Sequence, residues 1–229
     1  MKAASATTGT MRPTRQYSVL IVDDHPIVRH GLAQLIDDGP RFNVCGQTAC
    51  ASEALTLVQR LKPDVMVVDL SLEGGNGLEL IKQVKAQGLD TRMLVSSMHD
   101  EMLYAERSLR AGAMGYINKE QATDKIVEAI NQILEGRIYL SEPMTERVLH
   151  RMMRKGHDAD SSPIQSLSDR ELEVFEMIGK GLTTQQIARK LHLSPKTVET
   201  HREHIKSKLD LKNNNELVRH AVQWVLENQ

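Results

Sequence analysis

Three aspartates in this sequence stand directly behind short apolar runs. Asp23 and Asp24 follow Tyr17–Val22, and Asp69 closes the run that begins at Asp64. Ser97 ends another run, Arg92–Ser97, and Lys119 follows Met114–Asn118. Carboxylates brought together repel one another and hold protons more tightly unless a cation joins them. A histidine-free cluster of oxygen donors suits Mg²⁺, which keeps several waters and takes one or two carboxylates. An ammonium and a hydroxyl beside such an ion, from Lys119 and Ser97, are the groups that surround a transferring phosphoryl. Taken singly, an Asp behind a strand is a turn former and a Lys there is solvated. At the ends of strands one, three, four and five together, they make a candidate site.

The elements that must position these residues are legible from periodicity. Five runs, Tyr17–Val22, Phe42–Gln47, Asp64–Asp69, Arg92–Ser97 and Met114–Asn118, are rich in Val, Ile, Leu or Met and bounded by Gly, Pro, Asp or Asn. Continuous apolar runs mark strands buried on both faces. Between them apolar residues recur three and four apart, as in Ala54, Leu55, Val58, Leu61 and Ile126, Val127, Ile130, Leu134, which predicts amphipathic helices. Five strand–helix repeats predict an α/β doubly wound, five-stranded parallel sheet, whose ligand crevice lies at the carboxyl ends of its strands.

Residues 135–166 break that rhythm and predict a short helix over Glu142–Met153 followed by a flexible linker. Beyond Leu167 the pattern is helical. Ser168 with Glu171 and Thr183 with Gln186 have the capping-box form, Ser194-Pro195 opens a third helix, and Asn213 with Glu216 opens a fourth. Turns fall at Gly181 and His192-Leu193. The domain boundary is placed near 155–163. Residues 1–16 are polar and predict a floppy tail rather than a transit peptide.

Composition excludes several classes. Lys and Arg number 29 against 30 Asp and Glu, so the chain is not a uniformly basic binder. Aromatics at 3% argue against an aromatic ligand cage or a base-stacking platform. Cys45 and Cys50 alone make neither a zinc cluster nor a disulfide framework and fit a reducing cytosol. No apolar run approaches the ~20 residues that span a bilayer.

Charge within the helical part is unevenly spread. Lys180 to Lys212 holds eight basic residues against three acidic ones, while Asp169, Glu171, Glu173 and Glu176 gather on the preceding helix. A localised basic surface is the footprint that phosphate contact requires. Helix 194–209 buries Val198, Ile205 and Leu209 and presents Lys196, Glu199, Thr200, Glu203 and Lys206-Ser207 on its other face. After helix 183–191 and a tight turn, this is a helix-turn-helix with a polar face for the major groove. Glu199 and Glu203 can accept from cytosine amino groups, and Thr200 can touch a thymine methyl.

Val22-Asp23-Asp24-His25-Pro26, Val68-Asp69-Leu70, Ser97 and Lys119 resemble the receiver domain of bacterial two-component response regulators, over about residues 17–135. Leu167-Ser168-Asp169-Arg170-Glu171, Ile187-Ala188 and Ser194-Pro195-Lys196-Thr197-Val198-Glu199-Thr200-His201 resemble the NarL/FixJ-type (LuxR-like) DNA-binding domain. The combined resemblance implies a flavodoxin-like receiver at 17–135, a linker with a short helix at 136–163, and an all-α, four-helix DNA-binding domain at 164–229. It implies phosphorylation of Asp69 by a sensor histidine kinase, with Mg²⁺ held by Asp23, Asp24, Asp69 and the Ser71 carbonyl. Asp24 would ligate directly and Asp23 through water. Ser97 and Lys119 would contact the phosphoryl, Tyr116 would reorient behind Ser97, and Ser71 and His99 would set the dephosphorylation rate. On DNA, Glu199, Thr200 and Glu203 would face bases. Lys196, His201 and Lys206 would meet backbone, with Thr184 and Thr197 also at the interface. The last helix, Glu216–Leu226, would pair two copies.

The resemblance further implies a cytoplasmic bacterial transcription factor that is no enzyme beyond its own aspartyl phosphorylation and dephosphorylation. Its partners would be the kinase, double-stranded DNA, RNA polymerase and a second copy of the chain. It implies too that the unmodified receiver covers the reading helix. Two departures stand out. Glu73 occupies a position where many receivers have proline, and Thr184-Gln185-Gln186 replaces the commoner Asn-Lys-Glu. A magnesium-dependent phosphohydrolase would need Asp-x-Asp where this chain has Asp69-Leu70-Ser71. A small-molecule-sensing regulator would need an aromatic cavity that one Trp and two Phe supply poorly.

Overall fold

The computed structural model describes residues 15–73, 75–153, 163–191 and 193–227. Most of the expected tail, linker residues 154–162 and His192 of the expected turn lie outside the described residues.

The first half alternates as its periodicity predicts: β1 (Tyr17–Val22), α1 (Pro26–Asp37), β2 (Phe42–Thr48), α2 (Ala51–Leu61) and β3 (Val65–Val68). Then follow β4 (Ser71–Leu72), β5 (Gly75–Asn76), α3 (Gly77–Ala86), β6 (Arg92–Ser97), α4 (Glu101–Ala111), β7 (Gly115–Asn118) and α5 (Lys119–Leu134). Five parallel strands lie in the order β2-β1-β3-β6-β7. Alternate residues of each buried run serve opposite faces. Leu20, Val22, Met66, Val68, Met93 and Val95 join side chains of α2, α3 and α4. Val19, Ile21, Val65, Val67, Leu94 and Ile117 join α1 and α5. Burying one such aliphatic side chain contributes about 1.5–3 kcal/mol, so both helical layers are held by the strand interior.

Three local features differ from expectation. β4 and β5 form a small antiparallel ribbon, Ser71 opposite Asn76 and Leu72 opposite Gly75, just past Asp69. The Glu73 N–H at its turn donates to the Ala49 carbonyl at 3.2 Å, a bond that proline could not make. On α5 the buried stripe is Ala122, Ile126, Ala129, Ile130 and Ile133, while Val127 is exposed. Beyond α5, the Tyr139 carbonyl accepts from the Tyr116 N–H at 2.9 Å and its N–H donates to Met114 at 3.0 Å. That segment covers the β7 edge, which would otherwise stand open to strand pairing.

The second half holds α6 (Glu142–Met153), a 3₁₀ turn (Pro163–Ser166), α7 (Asp169–Gly179), α8 (Thr184–Lys190), α9 (Pro195–Lys208) and α10 (Asn214–Glu227). Both capping boxes form, at Ser168–Glu171 and Thr183–Gln186. Ser194 caps α9 through the Thr197 N–H, and Asn213 accepts from the Glu216 N–H at 3.0 Å. α10 begins two residues before the expected Glu216, and Leu209, just past α9, is half-buried rather than buried.

Strand order reverses between β1 and β3, which opens a crevice at their carboxyl ends. Gly77 sets the floor of that crevice: its N–H donates to Leu70 at 2.9 Å, and a Cβ there would lie 2.1 Å from the Asp69 carbonyl. Gly77→Ala should therefore cost about 1–3 kcal/mol through overpacking, read as a lower urea midpoint at unchanged slope.

Candidate functional site

β1 delivers Asp23 and Asp24 to the crevice, β3 delivers Asp69, and the start of α5 delivers Lys119. The Lys119 side chain is 5% exposed, with Nζ 2.7 Å from Asp69 Oδ2 and 2.8 Å from Asp23 Oδ2. Burial raises the proton affinity of Asp69, and Asp23 adds to the rise against the pull of Lys119. Burial works to lower the value of Lys119, but Asp69 and Asp23 outweigh it and hold the ammonium above its usual range.

The structure corrects the expectation of a histidine-free cluster. His25 Nδ1 sits 2.7 Å from Asp24 Oδ1 and 3.4 Å from Asp23 Oδ1, and ligand atoms of Asp23, Asp24, His25 and Asp69 all lie within 4.8 Å of one another. Asp23 Oδ2 and Asp24 Oδ1 are buried oxygens that each face a single nitrogen, Lys119 Nζ at 2.8 Å and His25 Nδ1 at 2.7 Å. Unfilled acceptor capacity among carboxylates fits a small oxygen-seeking cation. His25 stood in the quoted motif, yet nothing in its spacing distinguished it from a turn residue.

Ser97 is fully buried, and its Oγ accepts from the His99 N–H at 3.3 Å. Ser71 directs its N–H at the Asp69 carboxylate and sets Oγ 3.0 Å from His99 Nε2. Tyr116 is buried, and its hydroxyl donates to the His99 carbonyl at 2.7 Å. Burial pushes the Tyr116 phenol far up, so it stays protonated and able to donate.

At the other candidate site, the α9 face carrying Lys196, Glu199, Thr200 and Glu203 is exposed. Expected DNA-facing residues, among them Thr184, Thr197, Glu199, Glu203 and Lys206, are engaged within the protein. The Thr184 hydroxyl donates to Glu199 Oε1 at 2.7 Å. Thr197 Oγ1 lies 2.8 Å from the capping Ser194 hydroxyl. The Lys206 side chain is 15% exposed, with Nζ 3.0 Å from Glu203 Oε1. His201 is half-buried, and its burial lowers its proton affinity.

The expected cover over the reading helix is not what joins the two halves. Among the described residues, polar contacts between them include Asp169 of α7 with Lys82 and Arg107 at 2.9 Å each, Glu176 of α7 with Tyr104 and His99, and Arg107 with the Gln165 carbonyl of the 3₁₀ turn at 3.4 Å. Asp169, Glu176 and His99 stand out in the sequence, but their partners do not, because an acid on a helix has no periodicity to mark what it meets.

Residues 19–131 match the family described as response regulator receiver domain, and residues 165–221 match bacterial regulatory proteins, luxR family. The oxygen regulatory protein NreC of Staphylococcus haemolyticus is 35% identical over 89% of this chain and 96% of its own. Response regulator GacA of Pseudomonas aeruginosa is 36% identical over 89% and 94%. RcsB of Salmonella enterica serovar Typhimurium, solved on promoter rprA with phosphomimetic BeF3-, matches with a TM-score of 0.65 at 25% identity, over 91% of this chain and 99% of its own.

The pH dependence of the acidic crevice has a defined sign. Asp69 binds its proton more tightly folded than unfolded, so its contribution to stability is present below the unfolded value and lost as pH rises through the folded one. In protein stripped of divalent ions, Asp69→Asn should be more stable than wild type near neutrality. The gap should close below about pH 4, as followed by urea midpoints.

Proposed function

This chain belongs to the NarL/FixJ-type response regulators, DNA-binding proteins that join a receiver to a LuxR-type helix-turn-helix domain, and we propose that Asp69 is its phosphoryl acceptor. The observation that carries this reading is Lys119 Nζ set between Asp69 and Asp23 beside unfilled carboxylate oxygens.

An Asp69 oxygen attacks phosphorus on the phosphohistidine of a sensor kinase, the phosphorus–nitrogen bond breaks, and an acyl phosphate remains. Asp23, Asp24, Asp69 and the Ser71 carbonyl would hold a Mg²⁺, which would supply positive charge against the phosphoryl oxygens. Lys119 offsets the charge that remains, and the Ser97 hydroxyl turns from the His99 N–H to the new group. Tyr116, already in contact with His99, adjusts behind it. The change in charge is local, and its readout is a shift between two arrangements of the chain. No turnover of an outside substrate belongs to this reading, and Ser71 and His99 govern how long the phosphoryl persists.

Exposure of the α9 face supports gating by pairing more than by uncovering. Two copies joined through α10 would set their reading helices about one DNA turn apart. Glu199, Thr200 and Glu203 then face bases, and Lys196 meets phosphate. On this reading the protein acts in the bacterial cytoplasm, at promoters, with RNA polymerase.

Treatment with acetyl phosphate and Mg²⁺ should shift wild type on a phosphate-affinity gel and leave Asp69→Asn unshifted. Retained labelling of that variant would assign another acceptor. On DNA, Glu199→Ala should change base preference. Lys196→Ala should weaken all sequences alike and reduce the salt slope by about 0.9. Identical binding profiles for the two variants would overturn the assignment of the face.

A further inference from the structure

One receiver residue contacts Ser71, Ser97 and Tyr116 and also reaches the other domain. The His99 N–H donates to Ser97 Oγ at 3.3 Å, its carbonyl accepts from the Tyr116 hydroxyl at 2.7 Å, and its Nε2 lies 3.0 Å from Ser71 Oγ. On the far side of the ring, Nδ1 lies 3.3 Å from Glu176 Oε2 on α7. Glu176 is 6% exposed, and its other oxygen accepts from the Tyr104 hydroxyl at 2.7 Å. The Tyr104 ring packs on the His99 ring with centroids 4.7 Å apart. A buried carboxylate without partners is costly, so Glu176 holds its two donors in place as firmly as they hold it.

We propose that Glu176, contributed by the DNA-binding domain, is a positioning residue for the receiver's phosphoryl site: by gripping His99 it keeps that residue bonded to Ser71 and Ser97, so that domain docking and phosphoryl capture oppose each other. The proposal rests on the assignment of Asp69 as acceptor. A Ser97 hydroxyl that turns to donate to a phosphoryl on Asp69 draws its oxygen from the already long 3.3 Å bond with the His99 N–H. That bond and the one from the Tyr116 hydroxyl hold the His99 backbone, on which the approach of its ring to Glu176 depends. Coupling between two such states is reciprocal: whatever factor the phosphoryl takes from docking, docking takes from the phosphoryl. The Asp169 pairs with Lys82 and Arg107 anchor the same two domains without touching His99, which separates the act of docking from the act of positioning.

The test uses the full chain and beryllofluoride with Mg²⁺ as the probe, titrated by calorimetry. Glu176→Ala should bind the probe at least about fivefold more tightly than wild type. Tyr104→Phe, which removes one bond to the same carboxylate, should move affinity the same way by a smaller factor. In a His99→Ala background, adding Glu176→Ala should change nothing further, because the path runs through the imidazole. A full Glu176→Ala effect without His99 would mean that the carboxylate acts only on docking, and would overturn the proposal. So would equal affinity of wild type, Glu176→Ala and Tyr104→Phe, while leaving the Asp69 reading intact. Failure of folded wild type to bind beryllofluoride at all would instead remove the Asp69 reading itself. Should Glu176→Ala not fold, Glu176→Gln keeps the shape, and its expected tightening is intermediate.

Discussion

Two carboxylates buried a few ångströms apart cannot share a crevice without a positive partner, and Lys119 is that partner here. In a region of reduced dielectric their repulsion would amount to several kcal/mol if left unanswered, on the order of 4 kcal/mol at 4 Å and an effective constant of 20. The ammonium answers both with one group. Its placement requires β7 to end where it does and α5 to start at once. It also requires β1 and β3 to be neighbours and the chain after Asp69 to turn tightly enough for Gly77 to touch the Asp69 peptide. The proposed phosphoryl on Asp69 would replace one carboxylate charge with up to about two on its own oxygens, and would enter a balance that is already taut.

What was legible in the sequence was what local forces decide. β1 and β6 fall on the expected bounds because each is an unbroken apolar run with polar punctuation at both ends. The helix starts at Ser168, Thr183 and Ser194 are readable because a cap is a contact between residues three apart. The strand-end acids were found because a parallel sheet sends such residues to one rim. What escaped was decided by tertiary contact. The two-residue strands β4 and β5 are too short to show a period, and their pairing depends on a turn tied to the Ala49 carbonyl. Val127 fits an apolar stripe, but α5 turns it to solvent as Ala129 and Ile133 take the core. Lys206 reads as a free cation, yet Glu203 three residues earlier holds it. Nothing near Glu176 in the chain announces His99 or Tyr104.

The junction between domains follows the same electrostatic logic as the crevice. Acids of α7 take cations or donors from α3, α4 and the loop after β6, so the helix that carries negative charge away from the reading surface also supplies the receiver's partners. Segregating acids onto α7 serves both ends: it leaves the DNA-facing side more basic and gives the receiver something to hold.

The solvent-facing side of α9 has a consequence for dose. If modification acts by pairing, as proposed, an unmodified copy with this face turned to solvent would keep its intrinsic affinity for half an operator, and modification would add avidity rather than access. Promoter occupancy would then follow the abundance of pairs, which would rise with the square of the free chain at low levels. The cell's stock of this regulator, as much as the activity of its kinase, would set the threshold at which transcription responds.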